Sequence, residues 1–240
     1  MEQQEQPKTA ASQMNAAEKL KLAAIATAAN GALHATKNEG TNGSSDLIGL
    51  ELVDKVLARW PKAAKAAAQK IIDYYGAPNE ITPSRLFWYN NGPWKRTIAY
   101  REEAPHDFPV PHTDVLEQTI NYHVPAEKVG DIGLFDGSLI VARTKGEVTA
   151  NCDNEGANIL ALNLMHEIVT GIRTPQAARD FAKEEIAAFL MDRSAPYAEH
   201  FQFDLPQGVQ WDSDHVAAAD ELLKQAVKKA ADGLGLGDKE

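Results

Sequence analysis

Cysteine is almost absent from this chain: Cys152 is the only one among 240 residues. That excludes an intrachain disulfide and any zinc cage built from cysteine alone. Cationic runs are also scarce. Lys and Arg number 24 against 34 Asp and Glu, a net charge of −10. Nucleic acid backbones and anionic membrane surfaces require a cationic footprint, so neither is expected as a partner. Long apolar runs are missing as well. The most apolar stretch, 157–165, falls far short of the roughly 20 residues that span a bilayer, so no membrane insertion is expected. Met1-Glu2-Gln3-Gln4 has neither the cationic start nor the apolar run of a secretory leader. A soluble acidic protein is expected, either cytoplasmic or the mature form of an exported, periplasmic protein.

Familiar chemical fingerprints are absent too. There is no Gly-x-Gly-x-x-Gly after a strand, no Walker loop and no Gly-x-Ser-x-Gly elbow, which removes the standard nucleotide-binding and serine hydrolase patterns. His166-Glu167-Ile168-Val169-Thr170 starts like a zincin helix, but Thr170 stands where the second histidine is needed.

What is present reads as α+β. Residues 1–14 are polar, without hydrophobic periodicity, and are expected to be disordered. An Ala-rich helix over 15–36 follows, with a thin stripe of Leu20, Leu22, Ile25 and Leu33, and then a Gly/Ser/Asn linker to residue 45. Asp46 is placed as the N-cap of a helix whose core face is Leu47, Leu50, Val53, Leu57 and Trp60. Pro61 breaks that run, and a second helical segment reaches Tyr75 before Gly76 and Pro78. About five strands follow between 85 and 153. They include a hairpin around Asn90-Asn91-Gly92-Pro93 with a loop longer than two residues, a strand over 115–124, and a tight hairpin at Lys145-Gly146 that puts Thr144 opposite Glu147. A helix from about 154 to 170 is apolar almost all round and therefore central. Thr174-Pro175 opens the next helix. An aromatic loop over 194–212 wraps the core, and a last helix runs from 213 or 214 to about 231. The expected architecture is an antiparallel meander packed against a buried helix, with additional N- and C-terminal helices. Three parts are expected: a tail, helix and linker over 1–45, a core over 46–192, and a wrapping loop and helix over 193–240.

The densest ordered set of titratable groups lies between 105 and 153. Two strand-like runs repeat one pattern: Glu117, Thr119, Asn121, His123, and then Glu147, Thr149, Asn151, Asp153. Alternation sends each set to one face of its strand. If the two strands are neighbours, Glu117 and Glu147 are candidates for paired carboxylates, one with a raised pKa. Just upstream, Pro105-His106-Asp107-Phe108-Pro109-Val110-Pro111-His112-Thr113-Asp114 joins imidazoles and a carboxylate on a proline-stiffened segment. His106, His112 and Asp114 are donors suited to a divalent metal such as Zn, Mn or Fe.

His166, with Glu167 and Asn163, forms a further polar set on the buried helix. Cys152 falls on an apolar strand face and reads as packed and inert. Trp88, Trp94, Arg96 and Tyr100 crowd the first hairpin and, with Asn121 and Asn151, are candidate ligand contacts. Three functions fit, in this order. The first is small-molecule binding between the polar strand faces and the aromatic hairpin. The second is a metal-assisted or His/carboxylate acid–base enzyme drawing on His106, His112, Asp114, His123, Glu117, Glu147 and His166. The third is a protein–protein interaction module, and a homo-oligomer is compatible with each.

Overall fold

Helical propensity and strand alternation divide the chain much as its composition suggests, and the computed structural model describes residues 9–37, 43–218, 221 and 225. Among them the helices are α1 (Ala10–Gln13), α2 (Ala16–Thr36), α3 (Leu50–Leu57), α4 (Lys62–Tyr75), α5 (Val129–Phe135), α6 (Glu155–Thr170), α7 (Pro175–Leu190) and α8 (Pro196–Glu199). The strands are β1 (Glu80–Ile81), β2 (Arg85–Asn91), β3 (Trp94–His106), β4 (His112–Asn121), β5 (Leu139–Ala142) and β6 (Glu147–Cys152). They form one antiparallel open sheet in the order β1-β2-β3-β4-β6-β5, with helices packed against it. The fold is α+β. The meander holds from β1 to β4; β6 then takes the place beside β4 and leaves β5 at the edge.

Several local expectations need correction. Thr9 caps a single helical turn at α1, inside the stretch expected to be disordered; residues 1–8 lie outside the described ones. Helix α2 is capped by Asn15 but buries no residue: Leu20 is 67% exposed and Ile25 57%. Its helicity therefore rests on alanine propensity rather than on packing. Asp46 is not an N-cap. Its carbonyl accepts from Asn79 Nδ2 at 2.9 Å, and α3 starts later, after Gly49. Leu47 and Leu50 are accordingly exposed, while Val53, Leu57 and Trp60 are buried. The β2–β3 loop is only Gly92-Pro93, because Asn91 pairs with Trp94, and Asn90 adopts a left-handed conformation beside it. The β5–β6 turn is longer than two residues. Arg143–Lys145 form a 3-10 turn, and Ala142 pairs with Glu147. The register slips by two relative to the tight hairpin, so every side chain keeps its face. Residues 213–218 carry no helix; Glu221 and Gln225 are helical, and the rest of that segment lies outside the described residues.

One face of the sheet carries the core. Helix α4 packs on β3 and β4, and α6 packs on β4 and β6, with α7 and α8 against α6. Leu86, Trp88, Ala99 and Leu116 meet Val53, Leu57, Ala64, Ala68 and Ile71 in one cluster. Trp94, Ile120, Val148, Ala150 and Cys152 meet Leu160, Leu164 and Ile168 in the other. Each such large side chain contributes about 1.5–3 kcal/mol on burial. Glu155, in the first turn of α6, ties the two clusters together. Its carboxylate accepts from Tyr75 Oη at 3.1 Å, Trp94 Nε1 at 2.8 Å and Gln118 Nε2 at 2.7 Å. The position also suits the positive end of the helix dipole. Among the described residues no helix is long and apolar enough to cross a membrane.

Candidate metal centre at the hairpin tip

Strand alternation explains why this site forms. β4 starts at His112, so His112 and Asp114 stand two apart on one strand face, the same face as Leu116 and Gln118. β3 extends to His106, which pairs directly with His112 across the hairpin. A register shift between Ala99 and Ala104 brings the end of β3 into that pairing. On the other side of β4, Cys152 pairs with Leu116, one step along from Asp114 on the same face. Three donor residues from two strands therefore reach one place, and Cys152 of β6 lies beside one of them, His112.

The distances are short. His112 Nε2 lies 3.2 Å from Asp114 Oδ1 and 3.1 Å from Cys152 Sγ. His106 Nδ1 lies 3.3 Å from Asp114 Oδ1. One donor atom from each of His106, His112 and Asp114 falls within 4.8 Å of the other two. The side chains of His112 and Asp114 are 6% and 8% exposed, so water screens them little. Outer partners orient each group. His112 Nδ1 faces the Val110 carbonyl at 2.7 Å, which directs Nε2 inward. Ser138 Oγ donates to Asp114 Oδ2, leaving Oδ1 toward the histidines. Asp136 Oδ1 lies 3.6 Å from His106 Nε2 and is itself held by the Ser138 N–H at 2.8 Å.

Charge follows this geometry. Asp114, then Cys152, push the His112 imidazole up to about 11 against the effect of burial. Burial acts to raise Asp114, but hydrogen bonds from His112 and Ser138 hold it below the usual carboxylate range. Burial pushes the Cys152 thiol up and outweighs His112. Burial likewise raises Asp136. With the thiol neutral, Asp114 is what keeps a proton on His112.

The other sequence candidates lie elsewhere. β4 and β6 are neighbours, and the doubled Glu-x-Thr-x-Asn runs pair head to tail about their threonines. Thr119 Oγ1 and Thr149 Oγ1 are 2.8 Å apart, Glu117 is opposite Asn151, and Asn121 is opposite Glu147. The carboxylates thus stand at opposite ends and do not pair with each other. Tyr100 Oη donates to Glu117 at 2.8 Å. Lys95 and Arg96 bridge to Glu147 at 3.2 and 3.0 Å. Burial acts to raise Glu147, yet those cations hold it below the usual range, opposite to the expected shift. Trp88 and Trp94 are buried on the helix side, donating to the Gly76 carbonyl and to Glu155. Arg96, Tyr100, Asn121 and Asn151 belong to the polar-run side of the sheet, so the structure does not bring all six ligand candidates together.

His123 is exposed beyond β4. His166 stacks on Phe203 at 4.1 Å and contacts Tyr122 Oη at 2.8 Å, and burial lowers its pKa. Asn163 and Glu167 staple the wrapping loop. Asn163 Nδ2 donates to the Tyr197 and His200 carbonyls, and Tyr197 Oη donates to Glu167.

Sequence reasoning missed Ser138 and Asp136 and read Cys152 as inert. The usable signal was His112-x-Asp114, a strand spacing hidden by starting the strand at 115. No protein-family model, curated protein or solved structure matches the chain, so the site alone carries the functional argument.

Proposed function

We propose that the chain binds one divalent transition-metal ion of the zinc class through His106, His112 and Asp114, with Cys152 as the fourth donor. The convergence of these donors supports the reading. Tetrahedral zinc with bonds of about 2.0–2.3 Å has ligand-to-ligand edges of about 3.3–3.6 Å. Three of the six edges, at 3.1–3.3 Å, approach that spacing, and the donor atoms of His106, His112 and Asp114 lie within 4.8 Å of one another. Two imidazoles, a thiol and one carboxylate favour a borderline-soft ion over Ca²⁺ or Mg²⁺, which prefer all-oxygen cages. The outer partners fit the pattern that orients metal ligands elsewhere: a carbonyl behind one histidine, a carboxylate near the other and a hydroxyl on the aspartate.

A second reading, a Cys–His–Asp nucleophile, rests on the 3.1 Å contact between Cys152 Sγ and His112 Nε2. The arrangement argues against it. Asp114 and Cys152 meet the same ring nitrogen, whereas a relay places base and orienting group on different nitrogens. The raised Cys152 pKa also opposes thiolate formation without a metal.

Calorimetric titration of the metal-stripped chain with zinc tests the proposal. One ion per chain is expected, with binding abolished in His112→Ala and Asp114→Ala. Unchanged binding in both variants, with each melting like the parent, would refute it.

A further inference from the structure

Beside the centre lies a cavity of about 20 Å³ whose walls include His106, Ser138, Cys152 and Asn158, with Phe108, Phe135, Leu160 and Ile186 among the apolar remainder. A water needs roughly 10–15 Å³ of such space, so the cavity admits an occupant of one or two heavy atoms. Asn158 is fully buried and half satisfied. Its Nδ2 donates to the Leu116 carbonyl and to Gln118 Oε1, both at 3.0 Å, while its Oδ1 has no hydrogen-bond partner among the described residues. An unpaired buried carbonyl oxygen favours an occupant that carries a donor. Asn158 lines this small cavity together with the ligand residues His106 and Cys152.

Resting on the metal reading, we propose that this cavity is the ligand-exchange pocket of the centre. It admits a small neutral molecule with N–H or O–H groups as an added metal ligand, with Asn158 Oδ1 accepting its hydrogen bond. Water is the resident member of that class. Bare anions are disfavoured, because Asp136 lines the cavity together with Asn158, whose amide oxygen is the group left to be satisfied. Zinc-class ions tolerate expansion from four to five ligands.

The test uses the full chain loaded with cobalt(II), whose visible band is strong when tetrahedral and weakens on addition of a fifth ligand. Hydroxylamine, neutral at pH 7.5, and azide are the probes. Hydroxylamine is expected to weaken the band saturably, and azide at the same concentration to leave it unchanged. Asn158→Leu should weaken the hydroxylamine response about tenfold or more, the worth of one lost hydrogen bond to a buried acceptor. Ala161→Leu fills the cavity wall without touching a donor, and it should block the response while cobalt stays bound, even if Asn158→Leu fails to fold. If the cobalt band forms but hydroxylamine leaves it unchanged, or azide alters it equally, the exchange pocket is refuted and the metal centre stands. If no cobalt band forms, the metal centre itself is refuted and the pocket with it.

Discussion

At Glu147 burial and charge pull in opposite directions, and charge prevails. Burial favours the neutral acid, but Arg96 and Lys95 lie 3.0 and 3.2 Å away and hold the carboxylate ionised. Because the folded pKa lies below the unfolded value of about 4.3, the stabilisation is fully present above that value and fades as pH falls through the folded pKa. Glu147→Gln should therefore lower stability by about 1–3 kcal/mol at pH 7, the range for hydrogen bonds to charged groups. The gap between parent and variant should shrink below about pH 4. Denaturant melts at pH 7 and pH 3.5 check this, and a gap that stays constant contradicts the assignment. His106, His112 and Asp114 were legible as metal-type donors from identity alone. Cys152 was not, because an apolar strand face normally makes a thiol inert, and only the register of β6 against β4 shows that Cys152 follows Asp114 on a shared face.

Among the elements, the first turn of α6 joins three neighbours through one side chain. Glu155 satisfies the donors of Tyr75, Trp94 and Gln118, so Glu155→Ala strands a half-buried hydroxyl on α4 and buried polar groups on β3 and β4 together. A loss of about 2–4 kcal/mol is expected, read as a lower denaturation midpoint, whereas a loss below 0.5 kcal/mol would show that these donors find other partners. Turn geometry limits the β5–β6 hairpin similarly. Gly146 has φ +63°, and a Cβ there would lie 2.1 Å from the Gln210 backbone carbon. Gly146→Ala should displace the segment around 210 and speed its proteolysis, and unchanged cleavage there would count against the contact. Helices α4, α6 and α7 were legible because proline, glycine and capping residues mark their ends. Strand bounds were less so. The β3 shift that carries His106 to His112 depends on pairing between strands, which no local pattern encodes.

Across the whole molecule, helical cover on one sheet face leaves the other face to mixed cross-strand pairs such as Thr119 with Thr149 and Phe87 with Ile98, and the metal-type donors gather where β3 and β4 turn. Helix α2 takes no part in the core, because none of its residues is buried. Removing residues 1–37 should therefore leave the melting temperature within about 2 °C of the parent, the shift expected for under 1 kcal/mol. Zinc affinity should be unchanged. A large drop in either would show that α2 supports the core. The α+β class was legible from the alternation of helical and strand-like segments, whereas the insertion of β6 between β4 and β5 was not, since sheet order reflects long-range pairing. X-ray absorption of the zinc-loaded chain reads most directly which donors meet at the hairpin tip. The expected shell is one sulfur at about 2.3 Å and nitrogen or oxygen donors at about 2.0–2.1 Å, with the sulfur lost in Cys152→Ser. A shell of oxygen donors alone, unchanged by that substitution, would contradict the proposed metal centre.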